Sequence, residues 1–253
     1  MEHRDNPIQP TTAEVLAEVE RRRSQARSPM RERERRAVIL ADRAVFWLTK
    51  HWLAVFNILA LLYIGVPVLA AVLMHAGIPG PAMVIHAVYR RLCHQYPQRS
   101  FFLFGPQLTY TLPELVEWVG VENLPGYPWP SAFIGNAAVG YKIALCQRDL
   151  AIYGTILFAG LVYGVLRRFK VRPLPVWAYA LLTLPMLIDG GSQWLSYLIN
   201  FFYARFPTRE STPLLRVLTG GLFGLATVWL AYPHVQQAME EFRETLHQRF
   251  GWE

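Results

Sequence analysis

The sequence predicts an all-α fold: a polytopic membrane bundle of about four transmembrane helices with one short interfacial or re-entrant helix. Three observations carry that reading. Hydrophobic residues make up 53% of the 253-residue chain and are gathered into blocks long enough to cross a bilayer. The charges are swept into the ends and the connections between blocks. No strand pattern interrupts the blocks. The net charge of +7 would point to nucleic acid in a soluble protein, but these arginines sit beside apolar spans, where acidic lipid and topology control account for them better. No glycine-rich phosphate loop follows a strand, so neither a nucleic acid nor a nucleotide is expected as a partner; the expected partner is the lipid bilayer.

The first forty residues are polar, so no cleavable signal peptide is expected and the first span serves as the insertion signal. Residues 1–50 read as a cytoplasmic arm. Thr12 is a plausible helix cap followed by Glu14 and Glu18, and residues 31–50 alternate charge with Val38, Leu40, Val45 and Phe46. That pattern suits an amphipathic helix on the membrane and equally a solvated arm. Residues 52–77 are apolar almost throughout and form the first span. Residues 79–92 are apolar but too short to cross, and Pro97 stops them.

Residues 101–141, rich in aromatics, Gly and Pro, read as an ordered outer-face cap within a membrane domain of 51–232. Residues 143–166 give the second span and 174–203 the third, which Asp189, Gly190 and Gly191 are expected to break. Residues 214–232 give the fourth, and 233–253 a polar tail. Arginine-dense segments, the arm and the run Arg167, Arg168, Lys170 and Arg172, mark the cytoplasmic side. Four spans then leave both termini in the cytoplasm of a bacterium, with the protein in the inner membrane. The Cys93 segment, the 101–141 cap and the loop around Arg205 fall outside.

Depth along the spans singles out a polar layer. At ~1.5 Å per residue from the cytoplasmic ends, Asp149 lies roughly 26 Å up the second span, Asp189 roughly 23 Å up the third and Arg216 roughly 24 Å up the fourth. Ionisable groups at such depth are functional candidates, with ion pairing that pins the helices as the structural alternative. Asp149 and Asp189 are the candidate partners of Arg216, with Arg148 as a second cation.

The two cysteines leave three readings open. Cys146 and Asp149, three apart, share a helix face, and Cys93 and His94 stand together beside Pro97. These four could hold zinc or iron, with Arg99, Arg148, Asp189, Gln193 and Arg216 around them as orienting or ligand-binding groups. An oxidising outer face favours a Cys93–Cys146 disulfide instead. Two unrelated buried thiols are the third reading. His51, His75, His86 and His234 are isolated; His86, two turns before Cys93, is the best spare ligand.

The chain also resembles the prokaryotic membrane-protein family known as domain of unknown function 2085 (DUF2085). Cys93, His94, Gln95, Arg99 and Ser100 carry its Cys-His-Gln segment with the following Arg-Ser; Cys146, Arg148, Ile152, Tyr153 and Gly154 its cysteine segment and the helix after it. Asp189, Gly190 and Gln193 match its Asp-Gly segment, and Arg216, Thr219 and Gly220 its last helix. Asp149 stands where many relatives have a second cysteine, and residues 105–142 look like an insertion. The resemblance implies a membrane domain and no particular activity. Three functional readings follow: a metal or small-polar-ligand pocket, an enzyme or transporter acting on an anionic lipid or metabolite, and an assembly subunit of a membrane complex.

Overall fold

The structure is a computed structural model that describes residues 17–22, 32–203 and 206–251; Thr12, Glu14 and Arg205 lie outside the described residues. Contacts divide the chain into a larger unit, His51–Phe242, and a smaller one of Met1–Lys50 with Arg243–Glu253. In the smaller unit the arm is helical where described. Glu18 pairs with Arg21 at 2.7 Å and Arg22 at 2.9 Å, and Glu32 with Arg36 at 2.5 Å, the three- and four-residue spacings that stabilise a helix surface.

Helix α1 (Glu32–His75) runs unbroken from the charged arm into the first apolar block and accommodates Pro67 internally. Helix α2 (Pro79–Tyr89) starts on a proline, whose missing N–H is not needed in a first turn, and ends three residues before Leu92. Helix α3 (Leu112–Val119) begins with a capping box: Thr111 accepts from the Glu114 N–H while Glu114 accepts from the Thr111 N–H. Helices α4 (Gln147–Leu166), α5 (Val176–Phe202) and α6 (Pro213–Phe250) complete the bundle.

Two expectations change. The described residues include a three-stranded antiparallel sheet, so the chain is mostly helical rather than all-α: β1 (Ser100–Leu103), β2 (Gly135–Asn136) and β3 (Gly140–Cys146), in the order β1-β3-β2. Residues 143–146, expected in the second span, belong to β3, and the helix begins at Gln147. Lys142, Ile143, Ala144 and Leu145 are all buried, so the strand shows no alternation, and a short buried run cannot be told from a buried helix by periodicity. The expected break at Asp189 is also absent, and α5 runs straight through it. Gly190 serves contact instead of bending, since a Cβ there would lie 3.0 Å from Nη1 of Arg148.

Residues 102–139 build a core of their own from Phe102, Tyr110, Leu115, Val119, Leu124, Phe133 and Val139. A second cluster joins α1, α4 and α6 through Trp52, Ala159, Tyr163, Val228 and Tyr232. A third packs Ala70, Ala71 and Tyr89 against Ile143, Ala144 and Leu145, fixing β3 between α1 and α2. Large apolar side chains outside these clusters face outward: Leu59, Phe158, Trp177, Leu187, Phe201 and Leu214 are each more than half exposed. Such an apolar outer surface suits a lipid bilayer. Three helices are long and apolar enough to cross one, Glu32–His75, Gln147–Phe169 and Pro213–Gln248.

Candidate functional site

The first turn of α4 divides the site in two. Cys146 is the N-cap of the helix, its Sγ accepting from the Asp149 N–H at 3.4 Å. Helical spacing turns Cys146 and Asp149 toward Cys93, while Gln147 and Arg148 engage α5 and α6. Ligand atoms of Cys93, Cys146 and Asp149 all lie within 4.8 Å of one another. His94 is not in this group: it is exposed, and its ring stacks on Tyr96 with centroids 5.6 Å apart. Both cysteines are free thiols in the structure.

Cys93 is held by its surroundings. Its N–H donates to the Tyr89 carbonyl at 2.9 Å, continuing the end of α2. Gln95 follows in a left-handed conformation at φ 53°, fixed through its side chain, which bonds His86 Nδ1 at 3.0 Å and donates to the His86 carbonyl at 2.9 Å. The fully buried Lys142 donates to the carbonyls of Gln95 at 2.6 Å and Ser131 at 2.8 Å. His86, expected as a spare ligand, therefore supports the loop rather than joining the thiols.

The two thiols are hydrogen-bonded to each other. A hydrogen bond from Cys146 holds the Cys93 thiol below its ordinary range, and the same bond together with burial pushes Cys146 well above it. Burial pushes Lys142 down to about 7 and His86 down to about 4. Of the pair, Cys93 is the thiol that loses its proton first.

On the other side of the turn lie two ion-pair triads. Asp189 of α5 accepts from Arg148 at 2.5 Å, Arg209 at 2.8 Å and the Ser211 hydroxyl at 2.7 Å. Glu210 accepts from Arg99 at 2.5 Å, Arg216 at 2.6 Å and the Gln193 amide at 2.7 Å, and from the Tyr197 hydroxyl. The buried Arg216 also donates to the Gln98 carbonyl and to Gln147 Oε1, both at 3.1 Å. Of the residues expected around the ligand set, Arg99, Arg148, Asp189 and Arg216 thus fall in the triads, and Gln193 donates to one of them. The partners differ from those expected, however. Arg216 pairs with Glu210 and with neither aspartate, and Asp149 faces the thiols.

Arg209, Glu210 and Ser211 complete the layer, and sequence reasoning misses them. Their signal is local: a charged pair directly before the Ser-Thr-Pro start of α6, seven and six residues from Arg216. Gln147 escapes notice in the same way, between the singled-out Cys146 and Arg148. Beside the Glu210 triad opens a cavity of about 700 Å³, walled by residues from the 101–141 segment, the end of α5 and the start of α6.

Comparison with known proteins supports the assignment suggested by the motifs. An uncharacterised protein of Methanocaldococcus jannaschii is 26% identical over 153 residues, which cover 60% of this chain and 69% of the relative. No solved structure matches. Residues 137–230, which hold the α4 turn, Asp189, Glu210 and Arg216, match the model of a family described as a predicted membrane protein, DUF2085, so this part of the chain is similar to that family.

Proposed function

We propose that this membrane protein binds a zinc- or iron-type metal ion through Cys93, Cys146 and Asp149. One observation carries the reading: ligand atoms from two thiols and a carboxylate, brought from separate parts of the chain, lie within 4.8 Å of one another. Two thiolates with a carboxylate suit zinc or iron, and three protein ligands leave a tetrahedral ion one open position. Gln147 and Arg148, on the same turn as two of the ligands, are bonded to Arg216 and Asp189. The triads therefore act as the support that orients the ligands. Ion binding releases the remaining thiol protons, so affinity rises with pH.

Four helices cross the membrane in this reading. At ~1.5 Å per residue the 27 residues of α5 reach about 40 Å, enough to cross beside the three more apolar helices. With the basic run at 167–172 and the arm on the cytoplasmic side of a bacterial inner membrane, residues 51–232 form the membrane domain. The metal site and the 101–141 cap then face outward, and both termini lie in the cytoplasm.

Alkylation of the two thiols tests the site. Zinc at a stoichiometric level should protect Cys93 and Cys146 together in the detergent-purified protein, and Asp149→Asn should weaken protection about 10- to 100-fold, whereas His94→Ala should leave it unchanged. Equal alkylation with and without zinc contradicts the proposal.

A further inference from the structure

We propose that the cavity beside the Glu210 triad is a second binding site, separate from the thiols, for an uncharged, hydroxyl-rich molecule of the sugar or polyol class. Its volume of about 700 Å³ lies within the range of about 300–1,000 Å³ usual for small-molecule sites. The class follows from which lining groups are already satisfied. The charged residues facing it are Glu114, Glu210 and Arg216. Glu114 is held in the capping box, its Oε2 accepting from the Thr111 N–H at 2.6 Å and hydroxyl at 2.8 Å. Glu210 accepts from Arg99, Arg216, Gln193 and Tyr197, and Arg216 is shared among Glu210, Gln147 and the Gln98 carbonyl. At Glu210 and Arg216 an ionic ligand would have to break their ion pair, of which Arg216 is the buried member, to gain a countercharge.

A bare acceptor remains. Gln98, only 9% exposed, lines the cavity, and its Oε1 is buried without a hydrogen-bond partner. A buried acceptor without a donor is unfavourable, and a ligand hydroxyl relieves it. The remaining wall offers threonine hydroxyls at Thr109 and Thr208, with Tyr110 and Trp129 as aromatic surface. Trp129 is half-exposed and braced edge-on by Tyr197 at 5.3 Å, leaving ring surface for the C–H face of a sugar. Hydroxyls act as donor and acceptor at once, which matches one bare acceptor among groups able to do either.

The chemistry could reach the cavity as a free sugar or as the glycosyl headgroup of a lipid. The test uses the full chain in a sugar-free detergent, titrated calorimetrically with glucose and with maltose, and in nanodiscs with and without a glucosyl diacylglycerol. Saturable binding of either sugar, or of the glycolipid alone, supports the proposal, and the latter assigns the source to the membrane. Gln98→Met keeps the backbone carbonyl used by Arg216 and should lower affinity about tenfold, the loss of one hydrogen bond of about 1.4 kcal/mol. Trp129→Ala gives an independent loss. Absence of saturable binding by all three probes, undiminished binding in both Gln98→Met and Trp129→Ala, or preferential binding of inorganic phosphate overturns it.

Discussion

Asp189 shows how closely the layer is balanced. Its carboxylate meets two guanidinium groups and a hydroxyl, and Arg209 also donates to its backbone carbonyl at 2.9 Å. Asp189→Asn leaves Arg148 and Arg209 without a countercharge. Because those arginines are partly exposed, the loss should be about 2 kcal/mol, short of the full effect of breaking a buried pair, and thermal unfolding in detergent measures it. His86 provides a pH dependence of definite sign. Its pKa is lowered from 6.5 to about 4 by burial, so the unfolded chain binds its proton first, and stability is lost as pH falls from about 6.5 toward 4. His86→Asn should remove about 3 kcal/mol of that acid-side slope, read as the difference between the unfolding profiles of variant and parent. At this scale Cys93, Cys146, Asp149, Asp189 and Arg216 could be read from the sequence, because cysteines are few and charges inside apolar blocks stand out. Glu210 and Arg209 could not, because in a polar connection a charge is ordinary until the chain folds back over the helix ends. His94 adjoins Cys93 in sequence, yet the chain turns at Gln95 and leaves its ring against Tyr96.

Between elements, the approach of α4 to α6 sets the geometry of the site. A Cβ at Gly224 would lie 2.5 Å from the Ile152 carbonyl oxygen, and one at Gly220 2.8 Å from that of Arg148. These glycines let the backbones meet, and Gly220 does so at the turn that carries Cys146 and Asp149. Gly224→Val should lower stability by about 2–3 kcal/mol through overpacking. A Cβ added at Gly154 of α4 would meet nothing within 4 Å, so Gly154→Ala should be neutral or slightly stabilising in the same unfolding assay. Small residues in apolar helices are visible in the sequence as packing sites, though which of them meet a neighbour is not. The strand β3 is hidden for a related reason: its buried face includes Lys142, whose charge is met by two carbonyls brought from residues 95 and 131.

Over the whole molecule, the segregation of apolar blocks from charge makes a membrane protein legible, and the outward-facing side chains of α1, α4, α5 and α6 agree with it. The number of crossings depends on α5, which carries Asp189 and Gln193 in its middle and so is less apolar than its neighbours. Reporter fusions at the two ends decide the count. Signals from the same side of the membrane are expected for four crossings, and from opposite sides for three. The central claim, however, is the metal site, and the metal content of the natively purified protein tests it most directly, measured by mass spectrometry beside a free-thiol count under non-reducing conditions. Near-stoichiometric zinc or iron in the parent, lost in Cys146→Ala and in Asp149→Ala but kept in His94→Ala, is the predicted result; a metal-free parent with Cys93 and Cys146 joined as a disulfide would contradict it.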